Sequence, residues 1–211
     1  MIVKVCGITN AEDAAAAIAD GANAIGFNFY APSPRYIAPQ RAAEISTASG
    51  VRRVGVFVNE ARARVEEIAR IAGLDVAQLH GEEAVGDYPA AVTVWKAARV
   101  SAEFNFASFA DSPAEALLLD GPAGELYGGA GMSFDWQSVG QASWPVFRRI
   151  ILAGGLDASN VEQAVSIAHP WGVDACSRIE SSPGKKDHKK MLEFVRTARR
   201  ALESARRALQ S

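Results

Sequence analysis

Ile2-Val3-Lys4-Val5-Cys6-Gly7-Ile8-Thr9-Asn10 opens the chain as a short β-type apolar run that delivers a thiol onto a turn. Behind Asn10, a residue suited to capping a helix, comes the alanine-rich stretch Ala11 to Asp20, whose small side chains can pack closely on a sheet. A second apolar run, Ala24 to Phe29, follows, so the opening reads strand, helix, strand. Six further runs repeat the pattern: Arg53 to Val58, Val76 to Leu79, Val92 to Ala97, Ala116 to Leu119, Ile150 to Ala153 and Gly172 to Ala175. Helix patterns between them are predicted at Pro39 to Ala48, Glu60 to Ala72 and Asp157 to Ala168. Weaker ones stand at Glu82 to Ala91, interrupted by Gly86 and Pro89, and at Ser101 to Ala110, interrupted by Asn105. Near the end, Leu192, Val195, Ala198, Leu202, Ala205 and Leu209 recur every three or four residues, which gives a last helix one apolar stripe. Eight βα units in a chain of this length predict an α/β fold: a single (β/α)8 TIM barrel of eight parallel strands and outer helices, rather than an open doubly wound sheet.

Composition narrows the function classes. A chain of 211 residues with 49% apolar residues can bury one substantial core, and no linker or low-complexity segment divides it, so residues 1–211 are expected to form one domain. A formal net charge of −2 gives no general pull toward nucleic acid or an anionic membrane. No apolar segment approaches the ~20 residues of a membrane helix, and no leader pattern precedes Ile2, so a cytoplasmic location is expected. Two cysteines far apart in sequence make neither a disulfide framework nor a zinc-ligand set; both are read as free thiols and no metal site is expected.

In barrels of this kind the chemistry sits just past the C-terminal ends of the strands. Cys6 ends the first run there, where it serves either as a small buried hydrophobe or as a proton-accepting thiolate. Asp120 closes Leu117-Leu118-Leu119, and reads as a turn aspartate before Gly121-Pro122 or as an acid on the barrel rim. An acid and a base flanking one pocket is what proton shuffling requires. His80, after Gln78-Leu79, fits a ligand, an acid or base, or a histidine bonded to backbone; Arg35 fits a solvated loop charge or a carboxylate partner. Gly154-Gly155 precedes a helix and serves a tight turn or lets backbone N–H groups face a phosphate, to which Ser177 could add a hydroxyl. Asp174 ends the eighth run beside Cys176. His169 and His188 receive no role.

Together these segments resemble the phosphoribosylanthranilate isomerase family over essentially the whole chain. The resemblance rests on Lys4-Val5-Cys6-Gly7-Ile8-Thr9, Gly26-Phe27-Asn28-Phe29 with Ser33-Pro34-Arg35-Tyr36-Ile37, Val54-Gly55-Val56-Phe57-Val58-Asn59 and Gln78-Leu79-His80-Gly81-Glu82-Glu83. It continues through Leu118-Leu119-Asp120, Gly128-Gly129-Ala130-Gly131, Phe134-Asp135-Trp136, Gly154-Gly155-Leu156 and Pro183-Gly184-Lys185-Lys186-Asp187. It implies an Amadori rearrangement of N-(5-phosphoribosyl)anthranilate in tryptophan biosynthesis, with no cofactor and no metal. By carry-over Asp120 is the general acid and Cys6 the general base. Arg35 lies near the anthranilate end, with Gln78, His80 and Asp174 as substrate contacts. Gly154, Gly155, Ser177 and Arg178 are then the phosphate contacts. The implied partner is this small phosphosugar, with neither nucleic acid nor membrane involved, and the enzyme a monomer or homodimer.

Two positions depart from the family pattern. Met132 stands where relatives often carry Lys, and Arg178 follows Cys176-Ser177 where many have Gly. Arg178 either points to solvent, leaving phosphate to backbone N–H groups, or contacts the phosphate; a positive charge moved from one side of the pocket to the other would account for both departures and favours the contact. A histidine-pathway isomerase on the same barrel would use carboxylates where Cys6 stands. A barrel that had lost catalysis would lack the acid or the base, and both are present.

Overall fold

The computed structural model describes residues 1–101, 104–121, 135–140 and 149–208. Eight parallel strands close into a barrel in sequence order: β1 (Ile2–Val5), β2 (Ala24–Asn28), β3 (Arg52–Phe57), β4 (Val76–Leu79), β5 (Thr93–Arg99), β6 (Ala116–Asp120), β7 (Ile150–Leu152) and β8 (Gly172–Ala175). The predicted α/β barrel is the observed one, with strand bounds shifted by one or two residues.

Both faces of such strands are buried, and side chains alternate between them. Ile2, Ala24, Val54, Val76, Ala116, Leu118 and Ile151 fill the barrel interior. Their neighbours Val3, Ile25, Leu117, Leu119 and Leu152 join the larger layer under the helices. Continuing the inward phase by two residues at a time leads from Ile2 to Lys4 and Cys6, and from Leu118 to Asp120. The same steps lead from Val76 to Gln78 and His80, and from Gly172 to Asp174 and Cys176. The alternation that builds the core therefore also aims these polar groups at the C-terminal mouth.

The helices are α1 (Ala11–Asp20), α2 (Pro39–Ala43), α3 (Arg62–Ala72), α4 (Trp136–Gly140), α5 (Val161–Ala168) and α6 (His188–Ala208). Asn10 caps α1 as expected, its Oδ1 accepting from the Asp13 N–H at 2.8 Å. The second, third and fifth helices are shorter than their sequence patterns. The segment predicted as a helix from Glu82 to Ala91 is instead loop with one 3₁₀ turn, Val85–Asp87, because Gly86 and Pro89 leave too few continuous helical donors. Among the described residues within Ser101 to Ala110 there is likewise only the 3₁₀ turn Phe106–Phe109, capped by Asn105. A small hairpin that the sequence did not announce, β9 (Glu180–Ser182) with β10 (Lys185–Lys186), follows β8. The last helix buries Met191, Phe194, Val195, Ala198, Ala201 and Leu202, close to the expected stripe; Leu209 lies outside the described residues.

At the N-terminal end, the barrel is plugged by Trp95, which is fully buried and donates through Nε1 to Glu115 at 2.9 Å. Glu115 also pairs with Arg52 at 2.6 Å and with Arg149, while both guanidinium groups lie over the Trp171 ring. The closing seam joins the first and last units. Beside the β1–β8 pairing, Thr9 donates to the Gly184 carbonyl at 2.5 Å, and the Asp13 carboxylate takes the Lys186 N–H at 2.9 Å and the His188 ring at 2.8 Å.

Candidate active site

The residues given catalytic or binding roles from sequence all line one pocket at the C-terminal mouth: Cys6, Arg35, Gln78, His80, Asp120, Gly154, Gly155, Asp174, Ser177 and Arg178. Asn28, Ser33, Val56, Val58, Ala153, Leu156 and Cys176 complete the wall. His169 caps the C-terminus of α5 in a left-handed conformation and His188 serves Asp13, so neither reaches it. Met132 and the run Gly128-Gly129-Ala130-Gly131 lie outside the described residues.

One wall is a chain of alternating charges. Lys4, fully buried, places Nζ 2.7 Å from Asp174 Oδ2 and also hydrogen-bonds to Cys6. Burial works against its positive charge, yet Asp174 and Cys6 together keep its ammonium more strongly protonated than usual. Cys6 sits beside Cys176, each being the next residue after the paired Val5 and Ala175. The thiol of Cys176 holds Cys6 well below the ordinary thiol range, and the Lys4 and Lys186 cations reinforce this against the opposing effect of burial. The neighbouring Cys6, with burial, pushes Cys176 well above that range. Beyond Cys176, Lys186 Nζ lies 2.9 Å from Glu180 Oε1, and Glu180 binds Arg35 through two guanidinium nitrogens, Nε and Nη2, the latter at 2.7 Å. Burial drives the Asp174 carboxyl up to about 7, with Lys4 opposing and Cys6 and Asp120 adding to the rise.

Close approach demands glycine on this wall. A Cβ on Gly26 would stand 2.7 Å from Cys6 Sγ, and one on Gly7, at φ +74°, would stand 2.8 Å from Arg35 Cδ and 3.0 Å from Cys176 Sγ.

Across the pocket stands Asp120, whose Oδ2 lies 3.2 Å from His80 Nε2. Gln78 Nε2 is 3.2 Å from His80 Nδ1. With the Gln78 amide donating, Nδ1 is the acceptor and the ring proton sits on Nε2, facing Asp120 and the pocket. Gly154 turns out to serve the acid: at φ +77° its missing Cβ would fall 2.8 Å from Asp120 Oδ1 and 2.3 Å from the Gly121 nitrogen. Gly155, at φ +62°, is held by Asn160 Nδ2 donating to its carbonyl at 2.8 Å. Arg178 donates from Nη1 to that same carbonyl at 3.1 Å and pairs through Nε with Asp157 at 2.8 Å. Its guanidinium thus ties the loop after β8 to the loop after β7, a connection that the sequence reading did not foresee.

Behind His80, buried Lys96 pairs with Glu83 at 2.7 Å, and Glu83 also accepts the Gly81 and Asn59 N–H groups. Despite its burial this holds Glu83 below the usual carboxylate range and stiffens the loop after β4. Sequence reasoning missed Lys4, Lys96, Glu180 and Lys186. Lys4 carried a usable signal: it lies two residues before Cys6 inside an apolar strand, hence on the same inward face.

Among the described residues, four buried side-chain polar atoms have no well-aligned hydrogen-bond partner, and three of them are pocket atoms: Gln78 Oε1, His80 Nε2 and Asp174 Oδ1. Buried polar atoms normally find partners, so these mark where a polar ligand completes the site. The arrangement offers a thiolate on one wall, a carboxyl on the other, and hydrogen-bonding groups between them.

Comparison with known proteins agrees. The family described as N-(5'-phosphoribosyl)anthranilate (PRA) isomerase matches residues 3–197. The N-(5'-phosphoribosyl)anthranilate isomerase of Solibacter usitatus is 68% identical over 202 residues, covering 96% of this chain and 99% of the relative. The crystal structure of phosphoribosyl anthranilate isomerase from Thermotoga maritima superposes with a TM-score of 0.85 at 38% identity, covering 94% of this chain and 99% of that one. A phosphoribosyl anthranilate isomerase solved in complex with reduced 1-(o-carboxyphenylamino)-1-deoxyribulose 5-phosphate gives 0.81 at 36% identity, again covering 94% and 99%.

Proposed function

This chain belongs to the phosphoribosylanthranilate isomerase family and catalyses the Amadori rearrangement of N-(5-phosphoribosyl)anthranilate in tryptophan biosynthesis, and we propose that Asp120 and Cys6 carry it as acid and base. Asp120 protonates the ribose ring oxygen, the ring C–O bond breaks, and a protonated Schiff base forms at C1. That cation acidifies the C2–H bond, so a thiolate is base enough to remove the proton. The resulting enolamine tautomerises to the 1-deoxyribulose product. The observation that carries this reading is the placement of Cys6 and Asp120 in one pocket, with three buried polar atoms left open around them.

The other contacts follow from the same pocket. Gln78, His80 and Asp174 offer their unpartnered atoms to the ribosyl hydroxyls. Arg35, braced by Glu180, faces the anthranilate carboxylate. The phosphate is held by the backbone of Gly154 and Gly155 and by Ser177, with Arg178 adding positive charge from where Asp157 and Gly155 hold it. No step calls for a metal or cofactor. All these residues come from one chain, so a monomer and a homodimer are equally complete. No helix among the described residues is long and apolar enough to cross a membrane, and we place the enzyme in the cytoplasm, where its thiols stay reduced.

The test is to follow the fluorescence decay of freshly formed phosphoribosylanthranilate. Cys6→Ser and Asp120→Asn should each lower kcat by at least about 10² while folding normally. A folded Cys6→Ser protein with near wild-type kcat overturns the base assignment, and Asp120→Asn does the same for the acid.

A further inference from the structure

The chain has two cysteines, and the fold brings both to the same spot. The β1–β8 register ends at Val5 opposite Ala175, and the Cys6 N–H donates to the Ala175 carbonyl at 2.9 Å. Cys6 and Cys176 are the next residues along the two strands. Neighbouring strands run about 4.8 Å apart, inside the roughly 4.4–6.8 Å Cα separation that a disulfide spans. Both side chains turn inward at the β1–β8 seam, and both line the same pocket. The reaction described above uses one thiol. It gives the second no chemical task.

We propose that Cys6 and Cys176 are a modification site for hydroperoxides, which convert the pair to a disulfide and switch the isomerase off by consuming its base. The Cys6 thiolate attacks one peroxide oxygen; the O–O bond breaks, an S–O bond forms, and the departing hydroxide takes a proton from solvent to leave as water. Cys176 sulfur then attacks the sulfenic sulfur of Cys6; the S–O bond breaks, the S–S bond forms, and the thiol proton leaves with the hydroxyl as a second water. One hydrogen peroxide is reduced and two thiols are oxidised. A cellular dithiol reverses the change. Cys176 also protects Cys6, because a sulfenic acid trapped as a disulfide does not advance to the irreversible sulfinic state.

The surroundings suit both partners. The Cys6 thiol is held below its ordinary range, which favours the reactive thiolate, and Lys186 Nζ stands 4.0 Å from Cys176 Sγ, where it supports negative charge developing on that sulfur during the second step. Bond formation is independent of the mechanism above, whereas the loss of activity rests on Cys6 being the base.

The experiment treats the reduced full-length protein with hydrogen peroxide, alkylates it, and reads intact mass, peptide map and activity together. Wild type is expected to lose the mass of two hydrogens, to leave neither cysteine alkylated, to fall in activity by about 10²-fold or more, and to recover fully with dithiothreitol. Cys176→Ser, compared with its own untreated activity, should instead gain oxygen at Cys6 and lose the ability to recover as exposure lengthens. Wild type that gains oxygen on Cys6 while Cys176 remains alkylatable overturns the proposal. A disulfide that forms while activity persists overturns the switch and, together with an active Cys6→Ser, the base role beneath it.

Discussion

The two ends of the barrel hold similar kinds of groups in opposite states. At the N-terminal end Glu115 has Arg52, Arg149 and the Trp95 N–H as partners, and the cations are stacked on Trp171. At the C-terminal end Gln78 Oε1, His80 Nε2 and Asp174 Oδ1 are buried and left open. The first end has its polar groups satisfied by the protein itself, which is what stability asks of them. The second leaves hydrogen-bonding capacity facing the pocket, which a polar ligand can take up.

The sharpest way to break this contrast is at the plug. Trp95→Ala empties a fully buried site and should destabilise the protein by about 3–5 kcal/mol in denaturant unfolding, while kcat of the folded fraction stays near wild type. Trp95→Phe keeps most of the packing and drops only the bond to Glu115, so it should lose about 1 kcal/mol. A kcat that falls in Trp95→Phe with stability intact would erase the division between the two ends.

A smaller effect comes from the open end, and it depends on pH. Asp174 is raised from an ordinary carboxylate value to about 7, so between the two the folded protein holds a proton that the unfolded chain has released. Stability from this group is therefore lost as pH rises through that window, the reverse of a carboxylate depressed by a salt bridge, at a slope of at most about 1.4 kcal/mol per pH unit. Asp174→Asn should remove that slope. Its stability relative to wild type should improve between pH 5 and pH 8, although Lys4 loses its charged partner; an unchanged difference across the window would reject the raised carboxyl.

The last change expected is at Gly154. Alanine there meets the Gly121 backbone and Asp120 at a positive φ, so the backbone must shift, which should cost about 1–3 kcal/mol of stability and about tenfold in kcat through the displaced acid. Equal losses in kcat and in phosphate-analogue affinity, with Asp120 undisturbed in the crystal, would return Gly154 to a purely phosphate-binding role.

Much of this was legible before the coordinates. The two-residue period of β1, β4, β6 and β8 carries Cys6, His80, Asp120 and Asp174 to one mouth, and any barrel built from those runs must do the same. Glu180 and Lys186 were not legible, because Glu180-Ser181-Ser182 and Lys185-Lys186 lack the apolar alternation that marks a strand. The weak helix patterns after β4 and β5 failed for a related reason: loops tied down by Lys96–Glu83 or by Phe104, Phe106 and Phe109 packing need no helical period. The ties of Arg178 to Asp157 and Gly155 were not legible either, being a long-range choice that no local spacing encodes.

The seam between β1 and β8 has a consequence for synthesis. Cys6 leaves the ribosome early, yet Cys176 and Lys186, which lower its pKa, emerge only after most of the chain has been made. A barrel short of its last βα unit lacks the Cys176 neighbour that does most to lower the Cys6 pKa, and such long-range closure is slow by topology. The full acidity of the Cys6 thiol therefore belongs to the closed barrel and not to the β1 segment that carries it.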